Sequence, residues 1–175
     1  MRFSLYLAAA AATLAVATPA AAQQAGTASA QAWAKGTIVQ PVTLIWQQDL
    51  DFGTIVSTAA SGNVTINADT GARTSTGGAV QVASFPGDRG LFQGTGAANQ
   101  TVQLVLTAPG TLVSTTTPTD LITVSSMSLD NGNATSRVIG PSGTFLVGVG
   151  GTFVIAANQP AGLYRSRFDL TAVYQ

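Results

Sequence analysis

The chain has 175 residues, with 7 Lys and Arg against 7 Asp, no Glu, no His and no Cys. That inventory leaves no Ser-His or Cys-His nucleophile pair, no thiolate and no ordinary zinc site. A neutral balance with a single lysine, Lys35, offers no counterion-releasing patch for nucleic acid, while a hydrophobic share of 46% is enough to build a core.

The first 22 residues read as an export signal. Arg2 gives a short positive start, Leu5 to Val16 is apolar and alanine-rich, and Ala20-Ala21-Ala22 supplies the small residues that signal peptidase accepts. Cleavage is expected after Ala22, with Ala20 and Ala22 as the small pair and Gln23 as the new N-terminus. The apolar stretch is too short to span a bilayer comfortably, and no later stretch is long enough. The mature chain is therefore expected to pass through the periplasm with no membrane span. Without cysteine it must rely on its core, its ladders or other chains for stability.

Residues 23–35 form an extended N-terminal segment. Ala28, Ala30, Ala32 and Ala34 alternate with Thr27, Ser29, Gln31 and Trp33, a slim tract with one small-residue edge. It reads either as a tail or as a strand whose partners lie on another chain.

From Gly36 to Gln175 the pattern is strand after strand. Thr and Val dominate, suited to a pleated surface. Strands are expected over Thr37–Trp46, Leu50–Val56, Asn63–Asn67, Ala79–Ser84, Thr101–Thr107, Thr111–Ser114, Leu121–Leu129, Gly143–Val149, Thr152–Ala156 and Leu163–Tyr174. Turn signals separate them, among them Ser61-Gly62, Thr70-Gly71, Gly77-Gly78, Pro109-Gly110 and Asn131-Gly132. The last is the best hairpin turn, because both central residues of its type need φ > 0. This spacing predicts an all-β sandwich domain over 36–175. In the last strand Tyr164, Phe168, Leu170, Ala172 and Tyr174 share one face, with Arg165, Arg167, Asp169 and Thr171 mostly on the other.

Candidate chemical motifs are few. Asp49-Leu50-Asp51-Phe52-Gly53 has two carboxylates and a glycine, but lacks the further oxygen donors of a calcium loop. It reads as two aspartates on a strand's outer face followed by a glycine bend. Gly148-Val149-Gly150-Gly151 fails dinucleotide spacing and reads as bulges or turns. No catalytic residue, metal ligand or cofactor site is assigned. Arg165 and Arg167 read as a solvated face, and a carboxylate pair acting as a hydrolase is the remotest reading.

The strand pattern also carries a resemblance. Ile38-Val39-Gln40-Pro41-Val42-Thr43-Leu44, followed by Asp49-Leu50-Asp51-Phe52-Gly53-Thr54-Ile55, resembles the opening of an uncharacterised family of small exported bacterial proteins. The ending, Ala157-Asn158-Gln159-Pro160-Ala161-Gly162-Leu163-Tyr164 and an alternating strand to Tyr174, is similar too. The same plan resembles the spore-coat-U type pilins of the archaic chaperone–usher pathway, although this chain lacks their common disulfide and carries Gln175 after the tyrosine. The resemblance implies an immunoglobulin-like sandwich missing a strand, completed by the N-terminal extension of a neighbouring subunit. Carried onto this chain, Thr27 to Lys35, extending to Ile38, would be the donor, with Thr27, Ala28, Ala30, Ala32, Trp33 and Ala34 its named residues. Tyr164, Phe168, Leu170 and Tyr174 would line part of the acceptor groove. Implied partners are copies of itself or sibling subunits, a periplasmic chaperone and an outer-membrane usher, and the implied destination is a cell-surface filament. The alternative is a self-contained surface or matrix sandwich that binds carbohydrate as a monomer.

Overall fold

The computed structural model describes residues 28–175; the expected cleavage site at Ala20, Ala22 and Gln23, and Thr27, lie outside the described residues. The chain divides after Gly36. Residues 28–36 are exposed and carry no strand or helix.

Residues 37–175 hold the strands β1 (Thr43–Gln48), β2 (Ile55–Ile66), β3 (Arg73–Gln81), β4 (Gly90–Thr95), β5 (Thr101–Thr107), β6 (Thr111–Ser114), β7 (Leu121–Leu129), β8 (Ser136–Val138), β9 (Thr144–Ile155), β10 (Tyr164–Arg165) and β11 (Asp169–Tyr174). All pairings are antiparallel. The larger sheet runs β1-β4-β9-β7-β6-β10, with the β2–β3 hairpin branching from β9; the smaller runs β11-β5-β8. The two curl into the all-β sandwich that the Thr- and Val-rich pattern predicts.

β9 is the spine. Its first half pairs with β4 and its second half with β2, while β7 runs along its other side. The sequence splits this strand in two at Gly148-Val149-Gly150-Gly151, yet the ladder continues through them. A Cβ at Gly148 would lie 2.3 Å from the Ala68 carbonyl oxygen, and one at Gly150 would lie 2.3 Å from that of Ile66. The glycines are there because another segment crosses against the strand, not because the strand turns.

Other boundaries shift for similar reasons. Gly62 and Gly77-Gly78 sit inside the β2–β3 ladder, at a register shift rather than at turns. Thr70-Gly71 does lie in the turn of that hairpin, where the Asn67 side-chain oxygen accepts from the Asp69 and Thr70 amides. Asn131 and Gly132 both take the left-handed conformation expected of them, with φ 54° and 65°. The strands they join do not pair, however: β7 belongs to the larger sheet and β8 to the smaller.

The interior has two centres. Core 1, between the sheets, is built on Val102, Leu104, Leu129, Ile139, Phe145, Val147 and Val149, with Leu44, Phe92, Phe168, Leu170 and Tyr174 packed against it. Core 2, within the curl of the larger sheet, is built on Val64, Ala79, Ile122, Phe153 and Ile155, with Phe52, Ile55, Leu112 and Tyr164 around it.

Candidate functional site: an open groove beside two free edges

Core 2 is buried but borders an open groove on one side. A groove of about 810 Å³ opens there, floored by Leu112, Ile122, Phe153 and Ile155. One rim is Asp49–Ser57, and the other is Gln159–Ser166 with Phe168.

The first rim is the Asp-Leu-Asp-Phe-Gly segment, which is a turn rather than the expected strand. The Gly53 amide donates to Asp51 Oδ1 at 2.7 Å, closing an Asx turn. Gly53 takes φ 70°, a conformation that favours glycine, and a Cβ there would meet Arg73 Nη1 and the Phe85 carbonyl oxygen. Arg73 fastens the turn from β3. Its Nη1 donates to the carbonyls of Phe52, Thr54 and Phe85, its Nη2 to that of Val82 at 2.9 Å, and its Nε to Gln81 Oε1. The bend therefore turns Phe52 into the groove, edge-on to Phe153 with ring centroids 4.5 Å apart.

The second rim is fastened by Gln159 and Tyr164. Gln159 Nε2 donates to the Leu121 carbonyl and to the Tyr164 hydroxyl, and that hydroxyl donates to the Pro160 carbonyl at 2.8 Å. Ser57 Oγ donates to the Gln159 carbonyl, tying this rim to β2.

The expected single strand over Leu163–Tyr174 is interrupted. β10 pairs with β6 in the larger sheet, and β11 pairs with β5 in the smaller. The break at 166–168 divides the proposed groove residues. Tyr164 and Phe168 line the groove, whereas Leu170 and Tyr174 face core 1 from β11. A two-residue period through the whole segment put all four on one face; the chain changes sheets in the middle, which alternation does not record.

Beside the groove lie two free edges. β1 ends the larger sheet and β11 ends the smaller, and the two strands touch without a ladder between them. At one end of this seam the Tyr174 hydroxyl donates to the Gln40 carbonyl at 2.6 Å. At the other, Phe168 packs edge-on against Phe92, the cross-strand partner of Trp46. The two edges thus run antiparallel, closed at Tyr174 and open towards the groove at Phe168. Trp46 shares the inward side of β1 with Leu44 by strand alternation, yet is 59% exposed, because none of the described residues covers it at that end of the seam. Its indole N–H donates to Asp49 Oδ1.

Of the proposed donor residues, Ala28, Ala30, Ala32 and Ala34 are exposed and Trp33 is 91% exposed. The sequence reading missed Arg73, Gln159, Trp46 and the groove floor. A lone arginine in a Thr- and Gly-rich hairpin carries no signal that its guanidinium reaches four carbonyls on two segments. Among the described residues no cluster of His, Cys, Asp or Glu is placed to hold a metal, and no helix is long and apolar enough to cross a membrane.

Fold and site together define the class: an antiparallel β-sandwich with one core open along a groove and two unpaired strand edges at its side. The chain belongs to the family described as a domain of unknown function, DUF4402, whose model matches residues 42–174, from the lead-in of β1 to Tyr174. No curated protein and no solved structure matches it.

Proposed function

We propose that this chain is an exported structural subunit of a surface filament, in which residues 27–35, on to Ile38, of one copy insert as a strand beside the groove of the next. The observation that carries this reading is the open groove beside core 2, next to the free edges of β1 and β11. Unpaired edges offer a row of N–H and C=O groups that an extended segment satisfies, and an open apolar groove takes its alternate side chains. The segment that fits lies on the same chain: it alternates small residues on one side, and its residues 28–35 are exposed and carry no strand or helix. A contact of groove to extension is head-to-tail and does not close, so it propagates as a fibre.

The reading gives the chain no catalysis and no cofactor. Its partners are copies of itself or sibling subunits, with a periplasmic chaperone and an outer-membrane usher as the means of delivery, and its place is the cell surface. It extends the resemblance to spore-coat-U type pilins. A monomeric carbohydrate-binding sandwich has one observation in its favour, a shallow recess where the exposed Phe85 sits near Asp49, Asp51 and Asp88.

The test compares the mature chain with its A30P/A32P variant, since proline cannot donate to a ladder. Both are refolded, run unheated on a denaturing gel and viewed by negative-stain microscopy. The parent is expected to give a ladder and fibres that the variant lacks. Two monomers with equal melting temperatures would overturn the proposal and turn attention to glycan binding.

A further inference from the structure

We infer that Tyr174 is a specificity-determining residue of the seam: it closes one end, and admits over itself only a small side chain of the incoming strand. The inference rests on the subunit reading and adds to it the reason for a donor built on alanines.

Tyr174 is the last residue of β11, and its ring packs on core 1. Its hydroxyl reaches across to the larger sheet, donating to the Gln40 carbonyl at 2.6 Å and accepting from the Ala97 amide at 2.8 Å. These two partners lie just beyond the ladder of β1 with β4, whose terminal pair is Thr43 with Thr95. The phenol therefore runs from one free edge to the other beneath the seam. Gly96 makes room for it: a Cβ there would lie 2.6 Å from the hydroxyl and 2.8 Å from Ile139 Cδ1. Both hydroxyl contacts are to backbone, so the ring is held in place whatever side chains surround it.

The seam is consequently uneven. Towards Phe168 it opens onto the groove, where the floor is deep. Towards Tyr174 a fixed aromatic ring forms the floor. A strand placed along both edges points every second side chain inward. Where such a side chain meets the ring, a methyl group fits, and a longer one would have to displace a phenol fastened at two points. Ala28, Ala30, Ala32 and Ala34 offer a methyl at four successive inward positions.

The test uses the full mature chain carrying A30P/A32P as acceptor, so that its own extension does not compete. Fluorescent peptides spanning residues 27–38, either unaltered or with leucine at one of the four alanines, are titrated by anisotropy. At one of the four positions leucine is expected to weaken binding roughly tenfold, the scale of overpacking, and elsewhere to be neutral or to tighten it. Adding Y174A to the acceptor is expected to restore that peptide, while Y174F, which keeps the ring, does not. Y174L serves in place of Y174A if the latter fails to fold. If all four leucine peptides bind as tightly as the parent, or Y174A restores none, the role of Tyr174 is overturned and the subunit reading stands. If the unaltered peptide does not bind, the subunit reading itself fails, and this inference with it.

Discussion

Cores 1 and 2 share the strand β9 and the same kinds of side chain, yet one lies between two sheets and the other borders an open groove. Val147 and Val149 of β9 and Val102 of β5 have no exposed surface in core 1, where the two sheets face each other; Val64 in core 2 is buried as fully, but by the curl of one sheet. Core 2 has Phe153 and Ile155 from the same β9, but no sheet opposite them, only two loops standing as rims. The difference is one of cover rather than composition. Both interiors are buried, and the groove beside core 2 lies between two rims that are fixed by hydrogen bonds.

That contrast can be broken at several points. The largest effect is expected in the closed core: L104A should cost about 3–4 kcal/mol in denaturant unfolding, the range for a buried leucine that leaves a cavity. L112A on the groove floor should cost less than half of that, since its surroundings are already open. Equal costs would mean that core 2 is covered in solution by some other part of the chain. R73M comes next, at about 3 kcal/mol, because four carbonyls on two segments lose their donor at once. R73K should recover less than half, as an ammonium cannot span that spread of acceptors. G53A should cost about 2 kcal/mol through its positive φ and the close approach of Arg73. The smallest is Y164F, about 1 kcal/mol for the hydroxyl that links Gln159 and Pro160. If hydrogen exchange at residues 157–163 is unchanged in Y164F, the second rim does not depend on that hydroxyl.

The sequence makes the two cores unequally legible. Strands β5, β6 and β7 have the residues that their apolar runs mark, since nothing crosses them and alternation alone decides their bounds. β4 escapes notice because Gly90 and Gly94 dilute its pattern. Gly94 is there for tertiary reasons: the Phe145 ring occupies the place where its side chain would be. β8 is too short to announce itself. The groove is harder still. Its first rim could be read as a glycine bend, and the Asx turn at Asp51 agrees with that, but the strand expected around it does not form. The carboxylates of Asp49 and Asp51 serve an indole and a backbone amide, contacts that need the folded chain before they mean anything. Arg73 shows the limit most clearly, since all its acceptors but one are carbonyls, and a carbonyl has no letter.

The pairing of β11 with β5 also has a consequence in time. Leu170, Ala172 and Tyr174 pack on core 1 from a strand whose partner among the described residues, β5, lies more than sixty residues earlier in the chain. A chain that emerges N-terminus first therefore leaves one edge of β5 unpaired until residues 169–174 arrive. Such distant pairing is slow and leaves apolar surface unprotected while it waits. During that interval the smaller sheet lacks one of its strands, and core 1 lacks the side chains of Leu170, Ala172 and Tyr174 that pack against it.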